Sequence, residues 1–283
     1  MLSERNNPVC CISGVLAHIG RHAANDWFDD FVGPVPYDLR RDLVMMGHSH
    51  ALSGAVVWLA VTPALIALPG VTSPELATVT GTVLSPPELI AGAVVCAGAA
   101  MLPDLDHPSA TIAQTFGPAT WLLSKGVNFV SGGHRHATHS LLFAAFAGVG
   151  AHLLGQYSPI GRDVLIVLMI GLALRAIGIG VPGRTITSAV VNVALTAAMF
   201  ILFHMLGVTY SWLGFAIGVG CLAHVIGDCL TERGCPVLWP IKTRWLLPFD
   251  IGIKTGKTFE NKILGPALSV AVVALLCLRL IPA

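Results

Sequence analysis

Histidine and aspartate recur in four short runs along this chain. His48 and His50 form the first, and PDLDH, with Asp104, Asp106 and His107, the second. GHRHATHS, with His134, Arg135, His136, Thr138 and His139, is the third. AHVIGDCLTERG, with His224 and Asp228, is the fourth. Imidazole nitrogens and carboxylate oxygens suit zinc, manganese and iron. His224 and Asp228 stand at i and i+4, so a helix presents both on one face. His134 and His139 stand five apart and do not stack on a helix. A loop-to-helix transition between them, with Thr138 or Ser140 near the cap, lets both turn inward. Asp104 and Asp106 follow Pro103, which breaks a helix, and from a non-helical segment they can bind or orient an ion from two directions. The donors outnumber the needs of one four-coordinate ion. They would serve two ions, or one ion with carboxylates that position its ligands.

Each run alone has an ordinary explanation. An HxxxD pair arises by chance, a histidine at a membrane edge snorkels, and an aspartate near a helix end caps it. Four runs together weigh more, because ionisable groups next to lipid are costly and tend to be functional.

The elements that position these runs are apolar. The 283 residues are 54% hydrophobic and 11% charged, against about 25% charged in soluble domains. Mean hydropathy is +0.77. A net charge of +1 indicates no basic surface for nucleic acid. Seven apolar segments stand near 51–69, 89–103, 140–155, 164–182, 187–206, 212–230 and 263–281. Inside lipid such segments satisfy their backbone only as helices, so the predicted fold is all-α, a polytopic membrane bundle. The segments 89–103 and 140–155 are short for a span. Residues 1–44 match neither a span nor a signal peptide and read as an N-terminal extension, with the native product expected to begin at Met45 or Met46. Residues 45–283 form the membrane-embedded domain. Seven cysteines, an odd number without CxxC spacing, give no disulfide framework and no thiolate zinc site.

Lys and Arg fall in alternate connections. Arg40 and Arg41 precede the first segment, and Lys125 and Arg135 lie in 104–138. Arg184 follows the fourth segment, and 231–262 holds Arg233, Lys242, Arg244, Lys254, Lys257 and Lys262. The 70–88 and 207–211 connections hold none, and Arg162 in 156–163 is the one dissenting charge. The basic connections are expected in the cytoplasm, with the N-terminus and all four His/Asp runs on that side. Trp121 beside Lys125, and Trp239 and Trp245 around Lys242 and Arg244, suit the headgroup layer.

The order and spacing of His50, PDLDH, GHRHATHS and AHVIGDCLTERGCPVLWP resemble the YdjM-like family of inner-membrane proteins, described as metal-dependent hydrolases. The resemblance runs from about residue 47 to the C-terminus. It implies functional roles for His50, Asp104, Asp106, His107, His134, Arg135, Thr138, His139, His224 and Asp228. Glu260 matches an acidic position before the last span, while His48 and His136 look like extras. More distantly the set is similar to the zinc-dependent phospholipase C superfamily, which would imply phosphoester hydrolysis. The apolar region 156–211 is longer than in compact members, and residues 1–44 have no counterpart.

The resulting expectation is a hydrolase of the inner membrane that cleaves a phosphoester in a lipid or lipid-linked substrate at the cytoplasmic leaflet. His50, His107, His134, His139, His224 and Asp228 are the expected ligands of a divalent ion, zinc first, with manganese or iron as alternatives. Asp104 or Asp106 would bridge metals or act as general base, Arg135 would hold a phosphate oxygen, and Thr138 belongs to the same catalytic group. The rival readings are a transporter or metal-ion carrier, with His152, Arg175 and His204 as deeper polar residues, and a non-catalytic membrane partner with a structural metal. The topology has a direct test. In a cysteine-free background, a cysteine at Thr255 should react with an impermeant thiol reagent only after lysis, and one at Thr78 should react in intact cells. The reverse pattern would invert the bundle.

Overall fold

In this computed structural model, the residues described are 37–66, 84–183, 185–241 and 259–280; for 37–46 and 63–66 only the backbone is described. They form eight α-helices, joined in places by short 3-10 or π turns, and no strand occurs among them. The helices are α1 (Tyr37–Ile66), α2 (Pro86–Ala99), α3 (Pro118–Ser131), α4 (Leu141–Tyr157), α5 (Pro159–Ala176), α6 (Ile186–Met205), α7 (Leu213–Cys229) and α8 (Gly265–Leu280). From Gly47 onward the described residues belong to one compact unit.

Helix α2 is the axis of that unit. Glu88 accepts hydrogen bonds from the Ser85 N–H (2.9 Å) and hydroxyl (2.7 Å), and Pro86 and Pro87 fill the positions where no N–H is needed. From Ala91 onward α2 is only Gly, Ala, Val and Cys, and this thin surface lets backbones come close. A Cβ on Gly98 would overlap the Met169 carbonyl of α5. Gly54 of α1 and Gly220 of α7 both face the Cys96 carbonyl, where a Cβ would stand 2.6 and 2.5 Å from the oxygen. The same device joins α4 to α7, since a Cβ on Gly214 would meet the Gly148 carbonyl at 2.7 Å.

Among the described residues, three helical stretches are long and apolar enough to cross a bilayer: Pro86–Asp106, Ile186–Met205 and Glu260–Leu280. The share of each window buried inside the protein falls from 72% to 22% to 6%, so the first is central and the last peripheral. Leu141–Tyr157 and Leu213–Cys229 are apolar but shorter. Helix α5 carries Arg162, Asp163 and Arg175, which sets it apart from a plain lipid-crossing stretch. Every segment read as apolar from the sequence holds a helix, but among the described residues three have the full length and composition of a span.

Two connections differ from expectation. Ser158 alone joins α4 to α5; its N–H bonds the Leu154 carbonyl and its hydroxyl accepts from Gly161, so the two helices meet without a free loop. The 104–138 connection contains the amphipathic helix α3. Its Leu122, Leu123, Phe129 and Val130 are exposed, and Lys125 lies 4.0 Å from the Trp121 ring centre, a pairing that suits the headgroup layer. Of the second Trp-bearing run, the part beyond Ile241 lies outside the described residues.

Because the clash at Gly98 is with backbone, no rotamer change relieves it. Gly98→Val should destabilise the protein in detergent by about 3 kcal/mol, read as a lowered unfolding temperature, whereas Gly126→Ala, where an added Cβ meets nothing within 4 Å, should leave it unchanged or slightly raised.

Candidate metal centre

The site is assembled around Asp106, which is fully buried. Pro103 ends the helical path of α2, and the 3-10 turn Pro103–Asp106 turns the aspartates into the bundle end. Asp106 Oδ1 lies 2.7 Å from His134 Nδ1. Its Oδ2 accepts from the Thr138 hydroxyl (2.6 Å) and the Arg135 N–H (3.1 Å) and lies 3.4 Å from His139 Nδ1. The backbone makes this possible: Gly132 and Gly133 have positive φ, and Arg135 itself sits at φ 61°. Asn128 of α3 donates to the Asp106 carbonyl at 2.5 Å, tying the amphipathic helix to the site.

Behind this hub, four ligand atoms face one another. His139 Nε2 lies 3.5 Å from Asp104 Oδ1 and 3.6 Å from Asp228 Oδ2, and His224 Nε2 lies 3.7 and 3.9 Å from the same two oxygens. His139 Nε2, His224 Nε2 and Asp228 Oδ2 are buried without a hydrogen-bond partner. Each imidazole has its other nitrogen occupied: His224 Nδ1 is 2.7 Å from the Ala100 carbonyl, and His139 Nδ1 faces Asp106. The Nδ1 of His224 must therefore carry the proton, which leaves Nε2 as a lone-pair donor. Four oxygens or nitrogens held about 2.0–2.2 Å from a tetrahedral ion lie about 3.3–3.6 Å apart. The four His–Asp separations, 3.5–3.9 Å, come close to this, so these residues fit a metal ion.

His50 extends the cluster. It stacks on His224 with ring centres 4.2 Å apart, and its Nε2 lies 3.5 Å from Asp228 Oδ1. Taken three at a time, His50–His224–Asp228 and Asp104–His134–His139 each bring their ligand atoms within 4.8 Å of one another, so the described residues offer room for one ion or two. Burial opposes a charge on His139, but Asp104, Asp106 and Asp228 outweigh it and raise its pKa to about 9. An ion bound at Nε2 would take the place of that proton. Burial and the neighbouring His134 push His107 the other way, below the ordinary histidine range.

The sequence-derived residues separate into groups. His50, Asp104, Asp106, His134, Arg135, Thr138, His139, His224 and Asp228 come together. His107 stands at the rim, its ring centre 4.7 Å from that of His134. Arg135 is already engaged: it donates to Asp228 Oδ1 (3.1 Å) and to the Gly234 carbonyl (3.2 Å). His136 is exposed, as are His152 and His204, while Glu260 and Arg175 are buried. The carbonyls of Ala100 and Gly234 were not legible as site groups, because backbone acceptors leave no trace in residue type, and Asn128 stood outside the His/Asp runs.

The fold and site define a class: a membrane-embedded helical protein whose buried histidines and aspartates can hold a metal ion. The chain belongs to the YdjM inner membrane protein family, whose model matches residues 45–281. No curated protein and no solved structure matches it.

The ligand set and the residue that orients it should respond differently to substitution. His224→Ala with Asp228→Ala should bring the metal content of purified protein, measured by elemental analysis, close to zero. Asp106→Asn should retain the ion but weaken its affinity about 10–100-fold, the usual effect of losing a ligand's positioning partner. Full metal content in the double variant would remove that pair from the ligand set.

Proposed function

We propose that this protein is a metal-dependent hydrolase embedded in the inner membrane that cleaves a phosphoester in a lipid or lipid-linked substrate at the cytoplasmic leaflet. The observation that carries the reading is the convergence of unpartnered His139 Nε2, His224 Nε2 and Asp228 Oδ2 with Asp104 Oδ1 at 3.5–3.9 Å. Asp104, His139, His224 and Asp228 hold the ion, with His50 available to a second. Zinc is the first choice for such nitrogen and oxygen ligands, with manganese and iron next. One Arg135 set against Asp104, Asp106 and Asp228 leaves two negative charges, which a divalent ion offsets.

When bound, such an ion lowers the pKa of a water molecule and polarises a phosphoryl oxygen. The chain's own residues do the rest. Asp106 spends its oxygens on His134, Thr138, His139 and the Arg135 N–H, so it positions ligands. His134, held by Asp106 and about one-third exposed, is the group placed to move a proton between site and solvent. Arg135 neutralises the second oxygen of Asp228 and so steadies the ligand. Asp104 is 23% exposed and marks the open side.

A lipid substrate is supported by the surroundings. A cavity of ≈ 350 Å³ is lined by Ala176, Ile177 and Pro266, with Glu260 and His48 at its polar edge, and His48 is two residues along the chain from His50. Helix α3 presents Leu122, Leu123, Phe129 and Val130 outward from the turn that carries Asp106. The arrangement of about seven apolar segments and the cytoplasmic side rest on the apolar runs and the Lys/Arg alternation. Asp104 and His139 sit in turns and His224 and Asp228 in the last two turns of α7, an arrangement that favours surface chemistry over carriage through the bundle.

Metal-loaded protein in mixed micelles should release phosphate or a phosphorylated headgroup from lipid extracts. His134→Gln should lower kcat about 10²–10⁴-fold when compared at matched metal loading. Turnover of no phosphoester lipid by fully loaded protein would end the hydrolase reading and leave a structural or transport role for the ion.

A further inference from the structure

The turn after Asp228 carries a feature that the hydrolase chemistry does not use. Cys229 and Cys235 are six residues apart in the sequence, without the spacing of a redox motif, yet their sulfurs lie 3.0 Å apart. Cys235 also donates to the Val225 carbonyl at 3.4 Å, which directs its sulfur lone pairs toward Cys229. The turn is held tightly: Thr231 bonds the Asp228 carbonyl through both its N–H (3.1 Å) and its hydroxyl (2.7 Å), and Gly234 bonds the Thr231 carbonyl. Glu232 and Arg233 at its tip are exposed, Cys229 is half-buried and Cys235 is buried.

We propose that Cys229 and Cys235 form a redox-active dithiol that closes to a disulfide by exchange with a low-molecular-weight disulfide such as oxidised glutathione. Cys229, the more accessible, attacks one sulfur of that disulfide as the thiolate, forming a mixed disulfide and expelling one glutathione thiolate. Cys235 loses its proton to water and attacks the Cys229 sulfur, expelling the second glutathione. Two protein thiols are oxidised and one glutathione disulfide is reduced to two thiols. The sulfurs need close by only about 1 Å to reach the ~2.05 Å of a disulfide bond, so the bond forms without rearranging the turn.

Its consequence is mechanical. Cys229 follows Asp228, and Cys235 follows Gly234, whose carbonyl accepts from Arg135. Two residues beyond Cys235, the Val237 carbonyl accepts from the Leu141 N–H at the start of α4. The disulfide therefore latches the strap that joins the end of α7 to the His134–His139 turn. In a reducing compartment the pair stays open, and oxidative conditions close it.

Trypsin cuts after Arg233 and separates the two cysteines, so the bond is read as two peptides joined in a mass spectrum and parted by reductant. Full-length protein in detergent, treated with oxidised glutathione and then alkylated, should give the joined peptides. Cys235→Ser should trap glutathione on Cys229, and Cys229→Ser should give no adduct at Cys235. The oxidised wild type should unfold at a temperature several degrees higher than the reduced form, with no such difference in the double Cys→Ser variant. Both cysteines alkylated after treatment, or a stable glutathione adduct on wild-type Cys229, would overturn the dithiol. An unchanged unfolding temperature in protein shown to carry the bond would overturn the latch.

Discussion

The structure depends on keeping charge out of contact with lipid and water without leaving it unpaired. Asp106, His139 and His224 are 0% exposed and Asp228 is 1% exposed. A buried carboxylate without partners costs several kcal/mol, and here three carboxylates share one end of an apolar bundle. Every nearby choice answers that constraint. Asp106 is surrounded by four donors, Asp228 is met by Arg135 and His50, and the lone pairs of Asp104, Asp228 and His224 face one another around His139 Nε2, whose proton an ion would replace. Facing lone pairs repel unless a proton or a cation sits between them. That electrostatic demand is the physical content of the metal assignment.

The bundle serves the same constraint through its backbones. His224 Nδ1 can reach the Ala100 carbonyl only because α7 lies against α2 closely enough for Gly220 to touch Cys96 and Ala99. A larger residue at Gly220 would push the helices apart and free the His224 ring to turn. Gly227 works likewise for His50, since an added Cβ there would stand 3.0 Å from the ring. Small residues on α2 and α7 are thus part of the site's geometry, although none of them bears a functional group. Helix α3 adds a second coupling. Its outward apolar residues and its Asn128 bond to the Asp106 carbonyl put an exposed apolar face and ligand positioning on one short element.

The sequence by itself determined the class, an all-helical membrane protein, and pointed to most of the residues that cluster, though not to helix α3. Apolar runs long enough to seek lipid must be helical, because no other local structure satisfies their backbone there. The i, i+4 spacing of His224 and Asp228 put both on one face of α7, and the break at Pro103 took Asp104 and Asp106 out of regular helix. What only the tertiary structure decided was the division of labour. Asp104 and Asp106 are two residues apart and alike in type, yet one faces His139 and His224 while the other is enclosed by hydrogen-bond donors. Arg135 looked free for an anion but is spent on Asp228 and Gly234. Cys229 and Cys235 showed no motif and still meet. Local spacing fixes which face a side chain leaves from. Which group it meets depends on how closely distant helices pack, and that is set by small residues and backbone carbonyls that carry no chemical signature of their own.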